Sequence, residues 1–301
     1  GRAGLRFGVR LAGSRIPGNG DTLIRTMADP RPGLGDGTRE QILANIEVHD
    51  RISQEYDARH GEIFNDLEQQ RLGAAIERAV AQVRSGSAPR SALDFGCGSG
   101  NLTRHLLARG LSVTAADVSD RFLALVAGRF PGMPLSTMRL NGADLAEIPD
   151  ESFDFVATYS VLHHIPDYLA AILEMARVCK SGGVVYLDHE PTEEFWGPAR
   201  EYERFRSEVS GLNWRKFLVW GNYVGKVRRL FDPKYANEGD IHVWPDDHVE
   251  WGIIEKSLRA ARFEPVFSQD YLLFRSGYRR DVYDRYATTL TDTRVMAFRK
   301  L

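Results

Sequence analysis

The stretch Ala92-Leu93-Asp94-Phe95-Gly96-Cys97-Gly98-Ser99-Gly100 constrains the fold of this chain more than any other. A short apolar run ends in an acid and passes into glycines at alternate positions. A helix-forming run, Leu102 to Ala108, follows at once. Alternating glycines let the backbone turn sharply and let a ligand approach closely. A helix behind such a turn presents unpaired N–H groups and the positive end of its dipole. Strand, turn and helix together build a nucleotide-sized pocket at the carboxyl end of a parallel strand.

Two spacings bear on which nucleotide. A dinucleotide fingerprint reads G-x-G-x-x-G. Here the third glycine, Gly100, comes one position early, and Asn101 stands where the fingerprint needs glycine. Downstream, Leu111 to Asp117 reads as a second strand ending in an acid, roughly twenty residues on, where a carboxylate accepts from ribose hydroxyls. Both nucleotide classes use that acid, so Asp117 alone does not discriminate, whereas the G-x-G-x-G form argues against a nicotinamide oxidoreductase.

From residue 40 to about 190 the chain resembles the class I S-adenosylmethionine-dependent methyltransferases, and the tail does so more loosely. Asp94 to Gly100 is similar to the family's first motif, Asp117 to its ribose-binding acid, and Val118 to the apolar residue beside adenine. Asp144-Leu145-Ala146-Glu147-Ile148-Pro149 resembles the segment whose acid contacts the adenine amino group. Phe153 to Val156, followed by Tyr159-Ser160-Val161-Leu162-His163-His164, resembles the fourth strand and its exit. Lys180-Ser181-Gly182-Gly183-Val184 resembles the turn into the fifth, with Ser181 replacing the usual proline. Each motif is a weak signal alone, but five in order are specific.

The resemblance implies a doubly wound α/β fold with a mostly parallel seven-stranded sheet, S-adenosyl-L-methionine as cofactor and S-adenosyl-L-homocysteine as product. The alternation of apolar runs independently places strands near 91–95, 112–117, 135–140, 153–159 and 182–188, and helices near 101–109, 119–129 and 167–179. Two further strands, 263–274 and 294–299, would close the sheet as an antiparallel pair. Before the core, 39–84 reads as a helical cap, with helices at 39–60 and 68–83. Residues 90–190 form the cofactor-binding core and 246–301 its C-terminal part. Between them, 191–245 is an insertion that leaves the fifth strand at the ligand edge. All five tryptophans lie in it or just beyond it, and it reads as an aromatic lid over the substrate pocket, though most of its aromatics must pack its own small core. The tyrosine-bearing segment 275–293 is a second candidate lid.

Hydrophobic residues make up 43% and charged residues 27% of the 301, with a net charge of −2. That balance offers no global attraction to nucleic acid or an anionic membrane. The basic, aromatic stretch from Arg215 to Arg229 is countered by nearby glutamates and reads as a solvated helix face. No run approaches the roughly 18–20 apolar residues of a membrane span. The two cysteines, Cys97 and Cys179, fit a reducing compartment, and a cytoplasmic enzyme is expected. Residues 1–38 are rich in Gly and Arg and read as a disordered or artefactual leader, with Met27 a possible start; an Arg-rich, acid-poor composition also suits a transit peptide.

Methyl transfer from a sulfonium needs in-line positioning, exclusion of water and, where the acceptor carries one, removal of a proton. The resemblance assigns the cofactor to Asp94, Phe95, Gly96, Cys97, Gly98, Gly100, Asp117, Val118, Asp144, Leu145, Tyr159 and Ser160. Asp144 read alone also suits a turn or helix cap. Candidate bases are His189, His164, His163 and Tyr56, with His189 preferred because it leaves the fifth strand toward the opening. His163 and His164 have a structural alternative, a ring bonded to nearby backbone. His163, His164, His189 and Glu190 could also hold a divalent metal, but no compact ligand motif supports that, and none is expected. The expected substrate is a small organic molecule methylated on oxygen, nitrogen or carbon. RNA, a protein substrate, or a non-catalytic cofactor-binding role remain the alternatives.

Overall fold

The computed structural model describes residues 24–25, 56–86, 90–196, 200–209 and 249–301. The expected helical stretch 39–55, the basic run from Arg215 to Arg229, and Trp214, Trp220 and Trp244 lie outside the described residues.

The seven expected strands form one sheet, in the order β4-β3-β2-β5-β6-β8-β7. Their ranges are β2 Ser91–Phe95, β3 Ser112–Asp117, β4 Leu135–Arg139, β5 Phe153–Tyr159, β6 Cys179–Pro191, β7 Phe263–Tyr271 and β8 Thr293–Lys300. A two-residue strand, β1 (Ile24–Arg25), adds to the edge at β4 and pairs with it in parallel. Only β8 runs against the rest, antiparallel to both β6 and β7. The order reverses between β2 and β5, and ligands of such sheets bind at that switch point. β5 is buried along its whole length, Asp154 and Thr158 included, so its residues do not alternate between core and solvent.

Helices cover both faces. On one, α2 (Asp66–Val80) and α3 (Asn101–Leu107) bury Leu72, Ile76, Leu102 and Leu106 against Phe155, Ala157 and Tyr186. On the other, α5 (Tyr168–Val178) and α8 (Trp251–Ala260) bury Ile172, Met175, Ile254 and Leu258 against Val156, Val185 and Leu187. Ser119 and Asp167 cap α4 (Asp120–Arg129) and α5 by accepting from Phe122 N and Ala170 N. A four-residue helix, α1 (Tyr56–Arg59), precedes α2.

β6 runs three residues past its expected end, because β8 continues to pair with it beyond a register shift between Leu187 and Glu190. Past β6, α6 (Glu193–Trp196) and α7 (Arg200–Val209) belong to the insertion. Phe205 and Val209 of α7 pack with Leu272 and with Val282 of α9 (Arg280–Tyr286), while Tyr278 and Tyr286 ring Phe205. The described part of the insertion therefore shares a small core with the 275–293 segment, where the sequence suggested two separate lids. Trp251 is buried in the main core, and its indole N–H donates to Pro191 O at 2.9 Å, joining the two ends of the insertion.

A buried polar cluster ties α2 to the strand tips. Arg71 donates to Glu68 in its own helix and to Asp188 Oδ2 at 2.9 Å. Tyr159 donates to Glu68, and Tyr186 and Tyr271 donate to Asp188. The Arg71 guanidinium also lies 3.9 Å over the Tyr271 ring. Burial pushes the Glu68 carboxyl up and the Asp188 charge adds to it, against the pull of Arg71. Replacing Arg71 with Met leaves two buried carboxylates without their cation. The expected result is a loss of about 3–5 kcal/mol, read as a lower midpoint in urea denaturation.

Candidate active site

A cavity of about 260 Å³ opens at the carboxyl ends of β2, β3 and β5. The glycine loop forms one wall. Gly96 has φ +73°, and a Cβ there would meet Val161 Cγ2 at 2.6 Å, so the residue after β2 must be glycine. Gly98 has φ +48° and faces open space, where a ligand has room to approach its backbone. The Gly98 amide donates to Asp117 Oδ2 at 2.9 Å, and Asp117 Oδ1 accepts from Ser119 N at 2.9 Å. One carboxylate at the tip of β3 thus holds the glycine loop and the start of α4 together.

Thirteen of the sixteen residues singled out in the sequence line this cavity: Tyr56, Asp94, Phe95, Gly96, Cys97, Gly98, Asp117, Val118, Asp144, Leu145, Tyr159, Ser160 and His164. Asp94 accepts from Thr103 Oγ1 at 2.5 Å and is almost fully buried. Burial, with the Asp117 charge adding to it, pushes the Asp94 carboxyl up to about 7. Asp144 accepts from Asn141 Nδ2 and from Ala146 N, so it shapes its own turn while lining the cavity. The two readings of Asp144 are compatible. The next amide, Leu145 N, donates to Glu174 Oε2.

Three candidates do not line the cavity. Gly100 is the left-handed residue at the start of α3 (φ +89°), with Phe130 and Val126 where a side chain would go. His163 turns away to Glu190 Oε2 at 2.8 Å. Fully buried Glu190 also accepts from Val161 N and Leu162 N, which fixes the turn that carries His164 to the wall. His189 stands behind Tyr159, ring against ring at 4.7 Å. Its backbone lies in the left-handed region (φ +64°) within the β6 register shift, and it is not among the residues that line the cavity. Burial, with Arg71 and His163 nearby, holds the His189 ring well below the usual histidine range.

Phe64, from the segment Tyr56 to Asn65 that also reads as a fold over the cofactor, lines the cavity from the cap; sequence reasoning missed Phe122, which lines it from α4, and Asp167, Ala170 and Glu174, which line it from α5 and its N-terminal cap. Their only sequence signal is ordinary amphipathic periodicity. Five carboxyls line the cavity (Asp94, Asp117, Asp144, Asp167 and Glu174), while no Lys or Arg does so among the described residues. Such walls suit a ligand carrying positive charge and oppose a pyrophosphate. Among these residues no three His, Cys, Asp or Glu cluster as a metal site, and no helix is long and apolar enough to cross a membrane.

A nucleotide cavity at the switch point, acidic and shaped by a G-x-G-x-G loop, is that of a methyltransferase, and comparison with known proteins agrees. The model of the methyltransferase domain family matches residues 93–187. The ubiquinone biosynthesis O-methyltransferase of Nitrosomonas europaea is 31% identical over 184 residues, covering 54% of this chain and 78% of that protein. A demethylmenaquinone methyltransferase of Tropheryma whipplei is also 31% identical, over 46% of this chain and 55% of that protein. Among solved structures, the 1,6-didemethyltoxoflavin-N1-methyltransferase of Burkholderia thailandensis, with S-adenosylhomocysteine bound, shares the fold (TM-score 0.52, 20% identity, 90% of this chain and 93% of that one). So does magnesium protoporphyrin IX methyltransferase from Synechocystis, also holding S-adenosylhomocysteine (TM-score 0.50, 16% identity, 86% and 100%). The chain belongs to the S-adenosylmethionine-dependent methyltransferase family.

The raised Asp94 carboxyl gives a test of the site's electrostatics. The unfolded chain releases this proton near the ordinary aspartate pKa, about 4, whereas the folded protein keeps it to about 7. Between those values the native state binds more protons, so this group's contribution to stability falls as pH rises. Urea melts of the ligand-free protein should show the wild type losing stability relative to Asp94→Asn from about pH 4 to about pH 7, with a constant difference outside that window. A difference that does not vary with pH would remove Asp94 as a buried, raised carboxyl.

Proposed function

We propose that this chain transfers the methyl group of S-adenosylmethionine to an oxygen, nitrogen or carbon atom of a small organic molecule, in the cytoplasm. The observation that carries the reading is that Gly98, Asp117 and Asp144 line one cavity whose ionisable walls are almost wholly acidic. In that cavity Asp117 would accept from the ribose hydroxyls, Asp144 from the adenine amino group beside Leu145, and Asp94 would face the amino-acid end. The bound cofactor supplies a methyl group already activated on a cationic sulfur.

What remains for the chain is to orient the acceptor, keep water out and receive a proton where the acceptor carries one. Tyr56, Phe64 and Phe122 supply the apolar cover. His164 is the one candidate histidine on the wall, and we assign it the proton-accepting role. His163 and Glu190 serve by holding its turn, and His189 by packing on Tyr159. The named relatives act on ubiquinone precursors, demethylmenaquinone and 1,6-didemethyltoxoflavin, which supports a small-molecule acceptor here.

Isothermal titration should show binding of S-adenosylhomocysteine and none of NAD. Asp117→Ala should weaken that binding by about 1–3 kcal/mol, roughly 5- to 150-fold, through loss of charge-assisted hydrogen bonds and of the brace on Gly98. Unchanged affinity would take Asp117 out of the site, and binding of NAD instead would overturn the assignment.

A further inference from the structure

Arg129, the last residue of α4, touches two segments that wall the cavity. Its Nη1 donates to Ser99 O in the glycine loop at 2.7 Å and pairs with Asp57 Oδ2 of α1 at 2.8 Å. The same guanidinium nitrogen thus makes a hydrogen bond to the loop carbonyl and an ion pair with the cap carboxylate. Ser99 itself lines the cavity, and so does Tyr56, the residue before Asp57. The Tyr56 ring stands edge-on to Phe122 at 5.3 Å, and Phe122 lines the cavity from α4, the helix that ends in Arg129. The cap thus meets α4 at both ends of that helix, through rings near its start and through charge at its end.

We propose that Arg129 is a positioning residue that latches the cap to the glycine loop, so that release of the methyl donor or its product requires the Asp57–Arg129 pair to open. The proposal rests on the functional reading above, since it assigns these residues to retention of the same cofactor. Cap and loop are walls of one cavity, so a contact that joins them bears on how far that cavity can open. Isolated half-exposed ion pairs contribute little, in part because two long side chains must be ordered to make them. Here Ser99 O holds the arginine from the other side, so much of that ordering is already done when the aspartate arrives. The same nitrogen gives the loop a link to the cap: when Asp57 withdraws, Ser99 O loses a neighbour's alignment as well.

The test is the dissociation rate of radiolabelled S-adenosylhomocysteine, chased with unlabelled ligand, from the full-length protein. Asp57→Asn keeps the shape and removes the charge, and it should raise the rate about two- to fivefold, the range for a pair of this exposure. Arg129→Gln should do at least as much, and Arg129→Lys should restore part of the loss. The double variant should release no faster than Arg129→Gln alone, because both changes break one interaction. Raising NaCl from about 50 to about 500 mM should speed release from the wild type more than from Asp57→Asn. A purely structural arginine would not give that difference in salt response. Unchanged release from Asp57→Asn, or effects that multiply in the double variant, would overturn the latch while leaving the cofactor assignment intact. A wild type that does not bind S-adenosylhomocysteine would overturn both.

Discussion

The carboxylate of Asp117 is the contact on which the site depends. Its two oxygens accept from amides on separate elements, Gly98 after β2 and Ser119 before α4. Each of those amides begins a stretch that would otherwise be free to choose its path. Gly98 has no side chain with which to anchor itself, and Ser119 must be placed to cap α4. A single charged acceptor at the tip of β3 therefore sets the spacing between the glycine loop and the helix that bears Phe122 and Arg129. A charge-assisted hydrogen bond at a nearly buried site is strong enough to do so.

Around this contact the protein places its polar groups in two very different settings. Beneath the cap, Glu68, Arg71 and Asp188 are closed off by three tyrosines, so their charges serve to join α2 to the tips of β5, β6 and β7. Within the cavity the carboxyls have no such cation on the wall. Arg71 serves the architecture, while no Lys or Arg lines the cavity among the described residues; of its five carboxyls, Glu174 pairs with Arg177. That division explains how one set of strand tips both stabilises the fold and attracts a cationic ligand.

Much of the core was legible in the sequence because its signals are local. The glycine spacing, the acids that end β2 and β3, and the apolar run of β5 each dictate their own backbone, and the structure follows them to within a few residues. The pairings between distant segments were not legible. Nothing in Asp188-His189-Glu190 reveals that the middle residue adopts φ +64°, because that geometry falls within a register shift against β8, some hundred residues later. The sequence assigned Glu190 no role, and it is the acceptor for two backbone amides and the partner of His163. Phe205 and the tyrosines of 275–293 were visible as aromatics but not as partners, since amphipathic patterns specify that a face is buried and not what buries it.

The bond from the Trp251 indole to Pro191 O closes the insertion at its base. Residues 192–250 lie between Pro191, the last residue of β6, and Trp251, the first of α8, two points held together by that bond. The entropic cost of joining two fixed points grows only with the logarithm of the length of chain between them. A change of length between these two held points then need not pull on β6 or α8. A scaffold of this kind keeps one reagent constant while its choice of recipient diversifies.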